Sequence, residues 1–193
     1  MTKISLVTGP ARSGKSEWAE ALASQSQKTV VYVATAQMNP SDPEWQARIL
    51  RHQARRPSSW KTLAVPIALA HTIQSAIATE CLLIDSLGTW LANLIEQDEA
   101  TWQQESQQLL TSLQQSQAEI IIVAEETGWG VVPAYPLGRS FRDRLGTLTR
   151  DVGAIAQVVY LVTAGHALNL TALGQKLPPA PTIEPAIEPD IEP

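Results

Sequence analysis

Gly9-Pro10-Ala11-Arg12-Ser13-Gly14-Lys15-Ser16 reads G-x-x-x-x-G-K-[ST], the spacing of a phosphate-cradling loop. Its flanks have the required character. Ile4-Ser5-Leu6-Val7 is a short apolar strand running in, and Glu17-Trp18-Ala19-Glu20-Ala21-Leu22-Ala23 is a helix running out. Two glycines let backbone N–H groups close around phosphate oxygens, and the helix N-terminus adds partial positive charge. In that setting Lys15 reaches the outer phosphates and the Ser16 hydroxyl becomes a ligand for Mg²⁺. The plainer alternative is a glycine-rich turn without a ligand. Strand, loop, Lys-Ser pair and helix all agree against it.

Working outward, the first strand is expected over 3–8 and the following helix to about Ser26. Thr29-Val30-Val31-Tyr32-Val33-Ala34-Thr35 is β-branched and apolar, a second buried strand. A helix is expected over 44–55, with Pro43 at its first turn, and it ends before Pro57. Further helices are expected over 67–78, 87–95, 102–113 and 139–155. Cys81-Leu82-Leu83-Ile84-Asp85, Glu119-Ile120-Ile121-Ile122-Val123-Ala124 and Val158-Val159-Tyr160-Leu161-Val162 read as strands. Continuous apolar strands alternating with helices predict a mostly parallel α/β sheet covered on both faces. Ligands in such sheets sit beyond the carboxyl ends of the strands. That rule places the phosphate loop, Thr35, Asp85 and the Glu125-Glu126 pair along one rim.

With 193 residues, 44% hydrophobic and 17% charged, the chain suits a single globular domain. The net charge of −5 leaves no basic field for nucleic acid. Cys81 is the only cysteine, so intramolecular disulfides and cysteine-based zinc sites are excluded, and its apolar run makes it an inert core residue. The N-terminus has no signal-peptide pattern, and no apolar run approaches the ~18 residues of a membrane span. A cytoplasmic protein without membrane insertion is expected. The domain is expected over 1–170. Beyond it, 171–193 is expected to be a disordered tail, because 178–193 holds six prolines, four acidic residues and no Lys or Arg.

Two further groups can carry chemistry. Asp85 ends an apolar strand in a chain that already has a phosphate loop, the position from which a carboxylate holds Mg²⁺ directly or through water. The alternative is that Asp85 or Ser86 caps the helix beginning near Leu87. Glu125 or Glu126 is a candidate contact for substrate or metal, against the alternative of a solvated strand end. His71 reads as an ordinary helix residue, and His166 is a candidate to border a site. His52 differs from both, because Arg48, Arg51, Arg55 and Arg56 surround it. Nearby guanidiniums lower the proton affinity of an imidazole and leave it nucleophilic at neutral pH, beside cations that can hold a polyphosphate. The alternative is a basic, solvated helix face.

Five stretches resemble the bifunctional adenosylcobinamide kinase / adenosylcobinamide-phosphate guanylyltransferase family. They are 6–16, with Ala-Arg-Ser between the glycines; Arg48-Ile49-Leu50-Arg51-His52 with Arg56-Pro57-Ser58-Ser59-Trp60; 85–94, D-x-L-x-x-W-L-x-N-L; 126–133, E-x-G-x-G-x-V-P; and 141–146, F-R-D-x-x-G. The resemblance spans about 4–170. It implies a P-loop, RecA-like sheet, a homo-oligomer and two reactions. In the first, ATP or GTP phosphorylates the aminopropanol hydroxyl of adenosylcobinamide. In the second, GTP gives GMP to that phosphate through a GMP–histidine intermediate, which matches His52 here. Lys15 and Asp85 join His52 as catalytic residues. Implied nucleotide contacts are Gly9, Pro10, Ala11, Arg12, Ser13, Gly14, Lys15, Ser16, Thr35, Ala36, Gln37, Ala54, Arg55, Arg56, Pro57 and Asp85, with Mg²⁺ on Ser16 and Asp85.

Five positions depart from the family's pattern. Pro10 replaces a second glycine and stiffens the loop. Ala64 replaces a glutamate that contacts nucleotide. Glu125 replaces an asparagine, and Thr149-Arg150 replaces Asn-Gln. These changes cluster around the expected second-substrate region and point to an altered corrinoid preference or a weakened kinase half. Two other functions fit the phosphate loop: a kinase of another small molecule, with His52 a bystander, and a nucleotide-dependent regulatory or assembly module.

Overall fold

The computed structural model describes residues 3–37, 41–42, 46–47, 49–50, 53 and 56–178. His52, Ala54 and Arg55 of the expected site lie outside the described residues, as do most of the helix expected over 44–55 and the tail from 179.

Seven strands form one sheet: β1 Ile4–Gly9, β2 Thr29–Ala34, β3 Lys61–Ala64, β4 Glu80–Asp85, β5 Glu119–Glu125, β6 Val158–Thr163 and β7 His166–Asn169. Their spatial order is β3-β2-β4-β5-β1-β6-β7. Every neighbouring pair is parallel except β6 with β7. The central strands are apolar on both faces, as parallel strands must be when helices cover both sides. Helices with described bounds are α1 Lys15–Gln25, α2 Leu69–Gln74, α3 Leu87–Leu94, α4 Glu99–Gln115, α5 Pro136–Ile155 and α6 Leu170–Leu173, and the described residues 46–47, 49–50 and 53 are helical as well. Alternation along β1 divides the core. Ile4 and Leu6 join the cluster under α2 to α5, while Val7 joins the smaller cluster with Ala19 and Ala23 of α1.

The single-domain, mostly parallel sheet expected from the sequence is present. Strand β5 lies between β1, which carries the phosphate loop, and β4, which carries Asp85. Several boundaries differ from expectation. The helix expected over 67–78 is the shorter α2, and α5 begins at Pro136, where proline suits a first helical turn. Strands β3 and β7 and helix α6 are not among the elements expected from the sequence. The ordered chain also runs past 170. The Thr171 hydroxyl accepts from the Val159 N–H at 2.9 Å, and Lys176 Nζ donates to the carbonyls of Ala154 (3.3 Å) and Ala156 (3.1 Å). The expected tail therefore does not begin at 171.

Candidate active site

The phosphate loop takes the form its sequence demands. Gly14 precedes α1 with φ 94°, in the left-handed region that glycine enters without strain. A Cβ on Gly9 would run into the carbonyl oxygen of Val162. Helix α1 has no side-chain cap, so its first N–H groups are left for the loop or a ligand. Lys15 is buried and donates to the Pro10 carbonyl at 3.3 Å. Ser16 is half-buried on the next position of the helix.

Asp85 stands at the end of β4, beside Ala34 of β2 and Val123 of β5. The Tyr32 hydroxyl donates to Asp85 Oδ2 at 2.7 Å. Burial, reinforced by the Asp85 charge, raises the Tyr32 pKa far above the usual phenol value, so Tyr32 remains a donor at any working pH. The Arg56 guanidinium carbon lies 3.3 Å from the Tyr32 ring centroid, a cation–π contact. Arg56, Tyr32 and Asp85 thus form one connected column. The helix cap is a different residue: the Ser86 hydroxyl accepts from the Thr89 N–H at 3.3 Å, in a reciprocal capping box. Asp85 is therefore not needed as the cap of α3.

A cavity of about 310 Å³ collects these groups. Lys15 and Ser16 enter from the loop, Tyr32 and Ala36 from β2 and its end, and Asp85 from β4. Arg56, Glu125, Thr62, Ala64 and Thr89 are also among its walls. Of the residues expected from the sequence, Lys15, Ser16, Ala36, Arg56 and Asp85 are brought together here. Ala64 presents a methyl group where the family resemblance leads one to expect a carboxylate.

Other expected contacts are placed differently. Thr35 is fully buried. Its hydroxyl donates to the Ser86 carbonyl at 2.7 Å and accepts from the Ser86 N–H at 2.9 Å, and its own carbonyl accepts from Asn93 Nδ2 at 2.8 Å. Thr35 thus pins the corner between β4 and α3 and has no surface to offer a ligand. Gln37 and Pro57 are exposed outside the cavity. His166 is exposed with Nδ1 2.8 Å from the Ala164 carbonyl oxygen, and it does not line the cavity. His71 is exposed on α2. Cys81 is buried, and burial pushes its thiol up to about 11, which makes it unreactive.

The paired carboxylates separate in role. Glu125 accepts from the Gly88 N–H at 2.9 Å and from the Ser86 hydroxyl, so it closes the N-terminus of α3. Glu126 accepts from the Thr8 hydroxyl at 2.8 Å, and its N–H donates to the Gly9 carbonyl at 3.0 Å. Sequence reasoning missed Tyr32, Thr62 and Thr89 as cavity residues. Only the phosphate loop and the strand-end position carry a spacing that sequence can reveal.

The donor set suits a hard cation. Ser16 and Asp85 share the cavity, and no group of three or more His, Cys, Asp or Glu capable of holding a metal exists among the described residues. That sparse set fits Mg²⁺ shared with substrate phosphates better than a closed protein cage.

A family model described as cobinamide kinase / cobinamide phosphate guanyltransferase matches residues 5–170. A bifunctional adenosylcobalamin biosynthesis protein CobP from Pseudomonas aeruginosa is 44% identical over 167 residues, covering 86% of this chain and 95% of the relative. The CobU proteins of Escherichia coli K12 and Salmonella typhimurium are each 35% identical over 180 residues, covering 86% of this chain and 98% of each relative. A Pyrococcus horikoshii protein, solved as project PH0250, superposes with a TM-score of 0.53 at 6% identity, covering 88% of this chain and 85% of that one. That last likeness concerns the fold alone.

Proposed function

The chain belongs to the cobinamide kinase / cobinamide phosphate guanyltransferase family, an enzyme family of adenosylcobalamin biosynthesis, and from that premise we propose how its residues divide the work. Nucleotide enters the cavity of about 310 Å³ with its phosphates against the loop 9–16. Lys15 neutralises the outer phosphates, and Arg56 supplies a second cation beside Tyr32. Ser16 and Asp85 would hold Mg²⁺, which when bound draws charge from the phosphoryl oxygens. Tyr32 fixes the Asp85 carboxylate through Oδ2.

In the first reaction the acceptor hydroxyl loses its proton and its oxygen bonds to the γ-phosphorus of ATP or GTP. The bond to the β-phosphate oxygen breaks and the nucleoside diphosphate leaves. In the second, an imidazole nitrogen of His52 bonds to the α-phosphorus of GTP and pyrophosphate leaves. A phosphate oxygen of adenosylcobinamide phosphate then displaces His52, giving adenosylcobinamide-GDP. A nucleophile outside the loop is required, because Lys15 serves the β- and γ-phosphates. Exposed Trp129, Val131, Val132, Tyr135 and Leu137 are a candidate contact between copies of the chain, in keeping with a homo-oligomer.

The observation that carries this reading is the convergence of Lys15, Ser16, Arg56 and Asp85 on one cavity. The test is intact-mass measurement after incubation with Mg-GTP. A GMP adduct that is acid-labile and base-stable, and absent from His52→Ala, is expected. An adduct on His71 or His166 refutes the site. A His52→Ala protein that still makes adenosylcobinamide-GDP refutes the mechanism.

A further inference from the structure

Tyr32 stands in the sheet between Thr62 of β3 and Leu83 of β4 and is only 2% exposed. Alternation along β2 sends Val31 and Val33 to the core under α2 to α5, and Tyr32 to the face that packs on α1. It also lines the nucleotide cavity. We propose that Tyr32 is a positioning residue for both reactions: its hydroxyl orients Asp85 for the metal, and its ring seats Arg56 for the phosphates. The inference rests on the roles given above to Asp85 and Arg56, and it adds the group that sets their geometry.

Strand register makes the first contact possible. Tyr32 pairs with Leu83, and Asp85 lies two residues further along β4. Between backbone positions that is ~4.8 Å across the sheet and ~6.6 Å along it. A short side chain does not span this diagonal. A phenol does, and its O–H reaches Asp85 Oδ2 at 2.7 Å. Phenylalanine would fill the same space without a donor. Lysine or arginine would bring a cation to compete with Mg²⁺. A neutral donor orients a metal-binding carboxylate and leaves its charge for the metal.

The ring serves the opposite charge. The Arg56 guanidinium carbon lies 3.3 Å from the ring centroid. Arg56 Nε is buried with no hydrogen-bond partner among the described residues. An aromatic face holds a guanidinium without consuming any of its five N–H donors. Arg56 is thus fixed at the cavity wall with donors to give. A buried donor in that state is costly until an acceptor satisfies it, and a phosphate oxygen is a strong one.

Two substitutions separate the halves. Tyr32→Phe keeps the ring and removes the donor. Tyr32→Met fills the space with a flexible apolar chain and removes both. Mn²⁺ titration followed by electron paramagnetic resonance, with a non-hydrolysable GTP analogue present, reads the carboxylate. Binding of a fluorescent GTP analogue in EDTA reads Arg56. Tyr32→Phe should bind Mn²⁺ about three- to tenfold more weakly, with binding in EDTA at the wild-type level. Tyr32→Met should lose Mn²⁺ affinity likewise. It should also bind the analogue in EDTA at least about threefold more weakly, as Arg56→Ala does. In an Asp85→Asn background, Tyr32→Phe should cost no further Mn²⁺ affinity, because both changes act on one carboxylate.

Wild-type Mn²⁺ affinity in Tyr32→Phe, or a loss that adds to that of Asp85→Asn, would overturn the role of the hydroxyl. Wild-type binding of the analogue to Tyr32→Met in EDTA would overturn the role of the ring. A lower melting temperature in both variants with both affinities intact would make Tyr32 a packing residue. Unaltered Mn²⁺ affinity in Asp85→Asn alone would instead remove the metal reading of Asp85, and the role of the hydroxyl with it.

Discussion

Asp85 is held by its surroundings before any ligand arrives. Tyr32 donates to Oδ2, Arg56 covers the Tyr32 ring, and Ser86 relieves Asp85 of the capping task. Asp85→Asn keeps an acceptor oxygen for Tyr32 but removes the charge. The expected outcome is a rate lower by about 10² or more, with weaker Mg²⁺ dependence and little change in melting temperature. Steady-state kinetics across Mg²⁺ concentrations, with a thermal melt alongside, check it. A variant that loses stability but not rate would show that Asp85 is structural. At this scale the sequence reveals only residues whose spacing carries meaning. Lys15 and Ser16 are fixed by the loop pattern, and Asp85 by its place at a strand end. Tyr32 looks like any aromatic of a buried strand, and only the structure shows its hydroxyl turned toward a carboxylate. Thr35 misleads in the opposite direction. It sits at a strand end on the ligand rim, yet Ser86 and Asn93 consume its polar groups.

Helix termini offer a sharper pH test than the cavity. Asp98 caps α4 by accepting from the Thr101 N–H at 2.8 Å. That bond holds its carboxyl below the usual 3.8. The folded state therefore favours the carboxylate. The stabilisation is fully present above 3.8 and fades as pH falls through the lower folded value. Asp98→Ala should lower the melting temperature by about 2–4 °C at neutral pH. The gap to wild type should close in acid. Asp98→Asn, still a good cap, should sit near wild type at neutral pH and lack the acid-linked part. Differential scanning calorimetry at several pH values measures both. Strands divide in the same physical way. β2, β4 and β5 are buried on both faces and announce themselves as continuous apolar runs. β3 is a four-residue edge strand, mostly exposed, and its Lys-Thr-Leu-Ala sequence has no such signature. β7 returns from β6 through a two-residue turn with Ala164 at φ 49° and Gly165 at φ 75°. Positive φ at both centres marks a type I′ hairpin, for which Asn-Gly is the usual signal, and alanine hides it.

One edge of the sheet is tied to residues 171–178, inside the expected tail. β6 pairs with β1 on one side and β7 on the other, and α6 follows β7 directly. The Thr171 hydroxyl accepts the Val159 N–H at 2.9 Å. Lys176 donates to the Ala154 and Ala156 carbonyls at 3.3 and 3.1 Å, where α5 ends and its carbonyls lack helical partners. These bonds tie the end of α5 and the start of β6 to residues beyond 170. Two truncations separate this segment from the acidic, proline-rich remainder. Ending the chain after Pro178 removes a stretch with too little apolar surface to drive docking. It should leave the melting temperature and both reaction rates at wild-type values. Ending it after Leu170 leaves the Val159 N–H and the last carbonyls of α5 without these partners. At about 1 kcal/mol for each lost bond, the melting temperature should fall by about 5–10 °C. GTP binding should persist in the shorter protein, because the loop, Asp85 and Arg56 lie elsewhere. Equal stability of the two truncated proteins would return the domain boundary to 170. A stability loss on cutting after Pro178 would show that the acidic segment packs against the body.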